Sequence, residues 1–175
     1  MIRQATSADF EAMWPIFRAV VATGTTYVFA PDTSRADAFE YFLGPGVHAF
    51  VAEEEGRVVG FYKLIPNRRD LGDHVANASF MVDPSYGGRG VGRALGLHCL
   101  REARREGYLA MQYNFVVSTN ARAVALWKKL GFDVVGTLPR AFRHATLGLV
   151  DAYVMYRSLD DIDELSERDD RARAG

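Results

Sequence analysis

The chain of 175 residues has little of what marks a special environment. It holds one cysteine, Cys99, so no internal disulfide is possible, which agrees with a reducing compartment. No apolar run approaches the roughly 18 residues that cross a bilayer. The N-terminal "MIRQATSADFEAMWPIF" lacks the basic stretch and unbroken apolar core of a secretion signal, so a cytoplasmic location is expected. No sign of charge dominates: 21 basic residues against 22 acidic ones leave a net charge of -1, which points to neither nucleic acid nor a membrane as partner. No His/Cys cluster has metal-ligand spacing, and no metal is expected.

What is present describes an average soluble domain, with 49% hydrophobic and 25% charged residues. The length suits one hydrophobic core. We expect a single domain over residues 1–159, with the charged stretch "DDIDELSERDDRARAG", 160–175, as a flexible tail.

Periodicity and turn residues order the elements. A short strand at 1–4 precedes a helix capped by Ser7 or Asp9 and carrying Phe10, Met13, Phe17 and Val20 at helical spacing. Pro15 in this helix is tolerable only in its first turns. A loop and a second helix, 35–43, lead to a hairpin folded at Glu55-Gly56 and then to a strand, "VANASFMVD". The helix 90–106 buries a stripe of Val91, Leu95, Cys99 and Ala103, which makes Cys99 a core residue rather than a nucleophile. Strand "YLAMQYNFVV", a helix capped by Thr119 or Asn120 and closed by Gly131, strand "FDVVGTL", a loop "PRAFRHATLGLV" and strand "DAYVMYRSL" complete an α+β chain. Its central crossover runs strand, glycine loop, helix, strand.

That loop, "DPSYGGRGVGRALG", sets five glycines in the ten residues 87–96. A helix that starts directly after glycines offers unpaired N–H groups and the positive end of its dipole to an anion. Gly88, Gly90 and Gly92 provide backbone and Arg89 and Arg93 charge; a tight turn with solvated arginines is the alternative. A mononucleotide P-loop is excluded, because Arg93-Ala94 stands where Lys-Ser/Thr is required. A dinucleotide fold, and with it an NADP-dependent oxidoreductase, fits poorly: no carboxylate lies between Glu106 and Asp133 to hold a ribose.

"VDPSYGGRGVGRAL" resembles motif A of the GCN5-related N-acetyltransferases, (Q/R)-x-x-G-x-(G/A), and "NARAVALWKKLGF" resembles their motif B. The resemblance implies the GNAT fold, a splayed mixed sheet of six to seven strands flanked by about four helices. It also implies acetyl-CoA as co-substrate, a homodimer, and transfer of acetyl to an amine by direct attack. Cofactor-binding positions would be Gly87, Gly88, Arg89, Gly90, Val91, Gly92 and Arg93, with Asn120 and Trp127 from motif B. A backbone N–H near Met81 or Val82 would hold the thioester carbonyl.

Two departures stand out. Gly87 occupies the place of the usual Gln or Arg, and Trp127 that of a tyrosine which protonates the leaving thiolate in many members. An indole N–H is too weak an acid for that. "HVANASFMV" also lacks the glutamate base frequent in the family. The sequence offers amides instead: Asn77 with Ser79, and Gln112 with Asn114, share strand faces, and Asn120 opens a helix. "FYKLIPN", "HVANASF", "YNFVVSTN" and "VDAYVMYRSL" resemble the fungal L-azetidine-2-carboxylate N-acetyltransferases, in which asparagines at the places of Asn77, Asn114 and Asn120 are implicated in catalysis or substrate handling. Phe80 matches an aromatic neighbour there, and Tyr27, Phe29 and Tyr62 are candidates to wall the acceptor pocket. The expected acceptor is a small amine, an amino acid or its analogue. A module that senses acyl-CoA without turnover is the alternative.

Overall fold

The computed structural model describes residues 1–162; residues 163–175, most of the expected tail, lie outside the described residues. In chain order the elements are β1 (Ile2–Gln4), α1 (Phe10–Val21), α2 (Arg35–Leu43), β2 (His48–Glu54), β3 (Arg57–Pro66) and β4 (Val75–Val82). Then come α3 (Val91–Arg105), β5 (Ala110–Val117), α4 (Ala121–Lys129), β6 (Asp133–His144) and β7 (Gly148–Ser158). The order is the one the sequence predicts. The strands form one seven-stranded sheet, β1-β2-β3-β4-β5-β7-β6, in which only β4 and β5 are parallel.

Local chemistry sets the helix starts. Thr6 and Asp9 form a capping box ahead of α1, and Arg3 braces the Asp9 carboxylate at 2.7 Å. Ser34 Oγ accepts the Asp37 N–H at 3.0 Å to begin α2. Pro15 sits inside α1, deeper than the first turn. It lies on the exposed face, as does Glu11, so the Glu11 carbonyl that loses its helical donor meets water instead.

Residues 139–150 are not the loop that their mixed sequence suggests. They extend β6 and β7 into a long hairpin turned at 145–147. The register shifts between Leu138 and Phe142, and Arg140 adopts φ 54 there. Such a bulge erases the two-residue alternation by which a strand is read. His144 Nδ1 accepts the Leu147 N–H at 3.3 Å and closes the turn, which is its structural role.

Side chains alternate across the sheet and fill two cores. Under α1 and α2 lie Met13, Phe17, Phe42, Val51, Phe61 and Met81. Under α3 and α4 lie Tyr62, Leu95, Cys99, Met111, Tyr113, Trp127 and Phe132. Burial of each large side chain contributes about 2 kcal/mol. Ile162 belongs to the second core, and Asp161 pairs with the buried Arg157 at 2.5 Å, so the first residues beyond β7 are packed.

Helices α3 and α4 meet where Gly96 leaves room: a Cβ there would fall 2.6 Å from Leu130 Cδ1 and 3.2 Å from Trp127. Gly96→Val is therefore expected to lower unfolding free energy by roughly 1–3 kcal/mol. Urea denaturation of the two chains measures this, and an unchanged midpoint would mean that the helices move apart freely.

Candidate functional site

The parallel pairing of β4 with β5 is short. Val75 pairs with Ala110 and Ala76 with Met111, after which the strands separate. The Asn67 N–H to Val75 carbonyl bond and the Asp83 N–H to Val59 carbonyl bond place the odd-numbered residues of β4 in the ladder with β3. Ala78, Phe80 and Val82 therefore turn their backbone groups toward the gap. Of the pair expected to present a carbonyl-holding N–H, Val82 has the right orientation. Met81 is corrected: its backbone belongs to the β3 ladder, and its side chain is buried under α1 and α2.

Polar side chains finish what the ladder leaves open. The Asn77 amide donates to the Gln112 carbonyl at 2.8 Å, the acceptor that one more rung would have used. Gln112 Nε2 donates to Asn114 Oδ1 at 2.8 Å, and Asn114 Nδ2 donates to Asn67 Oδ1 at 2.7 Å. From the other side of the gap, the Tyr27 hydroxyl donates to the Phe80 carbonyl at 2.5 Å. Tyr41 and Ser79 share a hydrogen bond of 2.8 Å. Burial pushes the Tyr27 and Tyr41 phenols above their ordinary range, so both remain protonated donors.

These groups surround a cavity of about 240 Å³. Asn77, Ser79, Asn114, Tyr27 and Tyr41 line its polar side, and Phe80, Tyr113 and Trp127 the other. The expected trio Asn77, Asn114 and Asn120 thus meets at one cavity. Asn120 Oδ1 also caps α4 by accepting the Ala123 N–H at 3.3 Å, leaving its NH₂ for other partners. Phe29 is corrected: it stands behind Tyr27, edge-on to Tyr41 at 4.9 Å, and does not line the cavity. Tyr62 is wholly buried against Phe50 and Phe80 and is excluded likewise. Trp127 packs 4.8 Å from both Phe80 and Tyr113. The Tyr113 hydroxyl is buried with no hydrogen-bond partner among the described residues, an orphan donor beside the cavity.

The glycine loop stands at the open end of the gap. Gly88 (φ 84) and Gly90 (φ 85) adopt the left-handed conformation, which side chains resist, and Gly90 caps α3. Residues 87–90 are exposed. Arg89 is held over the Tyr86 ring at 4.9 Å. Arg122, which sequence reasoning missed, leans in from α4: a Cβ on Gly88 would lie 3.4 Å from its Nη2. Its signal was position, in the first turn after the Asn120 cap. This exposed backbone with two guanidiniums beside it fits the pyrophosphate of coenzyme A. Among the described residues no His/Cys/Asp/Glu group is suited to a metal ion.

The acetyltransferase (GNAT) family model matches residues 10–132. The chain belongs to this family. Among curated relatives of this GNAT chain, N-acetyltransferase aca1 of Schizosaccharomyces pombe is 33% identical over 108 residues, 59% of this chain and 52% of that protein. The chain thus spans about half the length of aca1, and 30% of a mycothiol acetyltransferase from Saccharomonospora viridis. L-amino acid N-acetyltransferase AaaT of Escherichia coli is 32% identical over 158 residues, covering 90% of this chain and 96% of that one. Among solved structures, a GCN5-related N-acetyltransferase from Kribbella flavida has a TM-score of 0.86 at 44% identity, covering 90% and 96% of the two chains. The putative acetyltransferase yncA from Salmonella typhimurium, solved with its cofactor acetyl-CoA, has a TM-score of 0.78 at 29% identity, covering 92% and 94%.

One more group at this GNAT site was invisible in the motifs. Lys63, a lone charge in the apolar run "VVGFYKLIP", is 5% exposed. Its Nζ lies 3.2 Å from the centroid of the Tyr41 ring. Burial lowers its ammonium from the ordinary 10.5 to about 8. The unfolded chain therefore holds this proton more tightly than the folded one. The charge disfavours folding below about pH 8, and the penalty fades as pH rises toward 10.5. Lys63→Met is accordingly expected to raise Tm at pH 7, with the gain shrinking as pH approaches about 10. Scanning calorimetry across that range tests the sign; a lower Tm at pH 7 would show that the ring contact outweighs burial.

Proposed function

We propose that this chain transfers the acetyl group of acetyl-CoA directly to the amine of a small molecule, an amino acid or amino-acid analogue. The observation that carries the reading is the β4–β5 gap, with an anion cradle at its open end and an amide-lined cavity beside it. The similarity to the L-amino acid N-acetyltransferase AaaT and to yncA, solved with acetyl-CoA, agrees with this reading. Asn77, Asn114 and Asn120, gathered at one cavity, support a reading along the azetidine-carboxylate branch.

In this proposal bound acetyl-CoA supplies an activated thioester carbonyl. The loop 87–92, Arg89, Arg93 and Arg122 hold the phosphates by backbone N–H groups and charge. The Val82 N–H is oriented to donate to the carbonyl oxygen, a contribution worth roughly 3 kcal/mol at such sites. Asn77 and Asn114 orient the acceptor by accepting and donating hydrogen bonds; the amine attacks as its free base, the C–S bond breaks as the N–C bond forms, and the proton lost from nitrogen passes to water. The Asn120 amide and the orphan Tyr113 hydroxyl are donors to the departing sulfur. A thiol near its ordinary pKa of about 8.5 leaves as a hydrogen-bonded thiolate, which removes the need for an acid at Trp127. Exposed Val135 and Leu138 on β6, Leu149 on β7 and Leu147 in the turn between them support the homodimer, which light scattering in solution tests.

Calorimetric titration with acetyl-CoA and a free-thiol release assay over an amine panel test the function. Saturable binding with turnover is expected, while binding without turnover would make the chain a sensor and absence of binding would end the proposal. Asn77→Ala and Asn114→Ala are expected to lower kcat at least tenfold with acetyl-CoA affinity kept. Unchanged turnover in both would make these amides structural.

A further inference from the structure

Buried ammonium groups normally face a carboxylate. Lys63 does not: no described residue forms an ion pair with it, and burial alone accounts for its lowered pKa. Its cross-strand partners are Ala49 from β2 and Ser79 from β4, and its Nζ faces the Tyr41 ring from α2. Among these only Tyr41 titrates, and burial keeps its phenol protonated. The π face of Tyr41 stabilises the cation in part but does not neutralise it.

The position of this uncompensated charge matters. Lys63 is the direct cross-strand partner of Ser79, and Tyr41 and Ser79, joined by their 2.8 Å hydrogen bond, are both cavity wall. The cavity wall carries no Asp, Glu, Lys or Arg of its own. A buried cation thus stands beside two residues of its polar side, Ser79 and Tyr41, in a low-dielectric setting where Coulomb interactions reach furthest.

We propose that Lys63 is the counter-charge for a carboxylate on the acceptor, so that the cavity selects α-amino acids over amines that lack an acid group. The inference rests on the acetyltransferase reading and names what its acceptor must carry. A bound carboxylate would supply the missing anion and return the ammonium toward its ordinary pKa, so acid binding takes up protons above pH 8. Lys63 acts here as a specificity residue and takes no part in the transfer.

The test compares L-methionine with L-methioninamide, and L-arginine with L-argininamide, binding to the CoA complex by calorimetry, and then in thiol release. In the native chain the acid of at least one pair is expected to bind about tenfold or more tightly than its amide. Lys63→Met should weaken the acid about tenfold, leave the amide unchanged, and act on KM rather than kcat; Lys63→Arg should restore part of the preference. Equal binding of acid and amide in both pairs overturns the proposal. So does a Lys63→Met variant that slows acid and amide alike, the result expected of a proton-transfer role. In both cases acetyl-CoA binding and turnover continue, whereas failure of the acetyltransferase reading shows as no affinity for acetyl-CoA.

Discussion

Two parallel strands that stop pairing after two residue pairs create the constraint from which the rest of the site follows. Backbone groups removed from both water and a ladder cost free energy until something bonds them. Tyr27 takes the Phe80 carbonyl and Asn77 the Gln112 carbonyl, so part of the debt is met by side chains. What those side chains leave over, above all on Val82, is what a ligand with an acyl oxygen can use. The gap is held open by its amides and tyrosines, and the glycine loop begins where β4 ends.

Much of this was legible beforehand. Helix and strand order followed from apolar spacing, and the glycine run ahead of a helix marked the loop in which Gly88 and Gly90 take positive φ. The asparagines were found because amides in central strands are out of place. Their hydrogen-bond chain through Gln112 to Asn67 was not readable, since it joins residues 47 positions apart that only the sheet brings together. The choice between Met81 and Val82 needed the ladder's parity, which a pattern of side chains does not carry. Phe29 misled because a phenylalanine next to a pocket-lining tyrosine reads the same whether it faces the pocket or backs it. Arg122 and Lys63 were missed for a related reason: an exposed arginine on a helix and a lysine in a strand look ordinary until their neighbours are known. The β6–β7 hairpin hid behind its bulge.

With no carboxylate on β4 and Trp127 at the tyrosine's place, the proposed mechanism shifts the burden of the chemistry from proton transfer to hydrogen bonding. Such a site stabilises charge by fixed dipoles instead of moving protons, and its efficiency depends on rigidity more than on titration. The packing agrees: Phe80, Tyr113, Trp127 and Phe132 form a contiguous aromatic group under the gap, with Tyr113 stacked on Phe132 at 4.3 Å. Aromatic side chains locked against one another leave little freedom for the strands to close.

The sheet separates its two cores, and that separation divides the molecule's evolutionary freedom. Residues proposed to meet the donor rest on the α3–α4 core, whereas Tyr27, Tyr41 and Lys63 rest on the α1–α2 core. Changes in side chains that share no contacts tend to act independently. A lineage can therefore exchange one acceptor for another by repacking α1, α2 and the loop between α1 and α2 while the nucleotide cradle is inherited untouched. One donor scaffold can in this way acquire many clients.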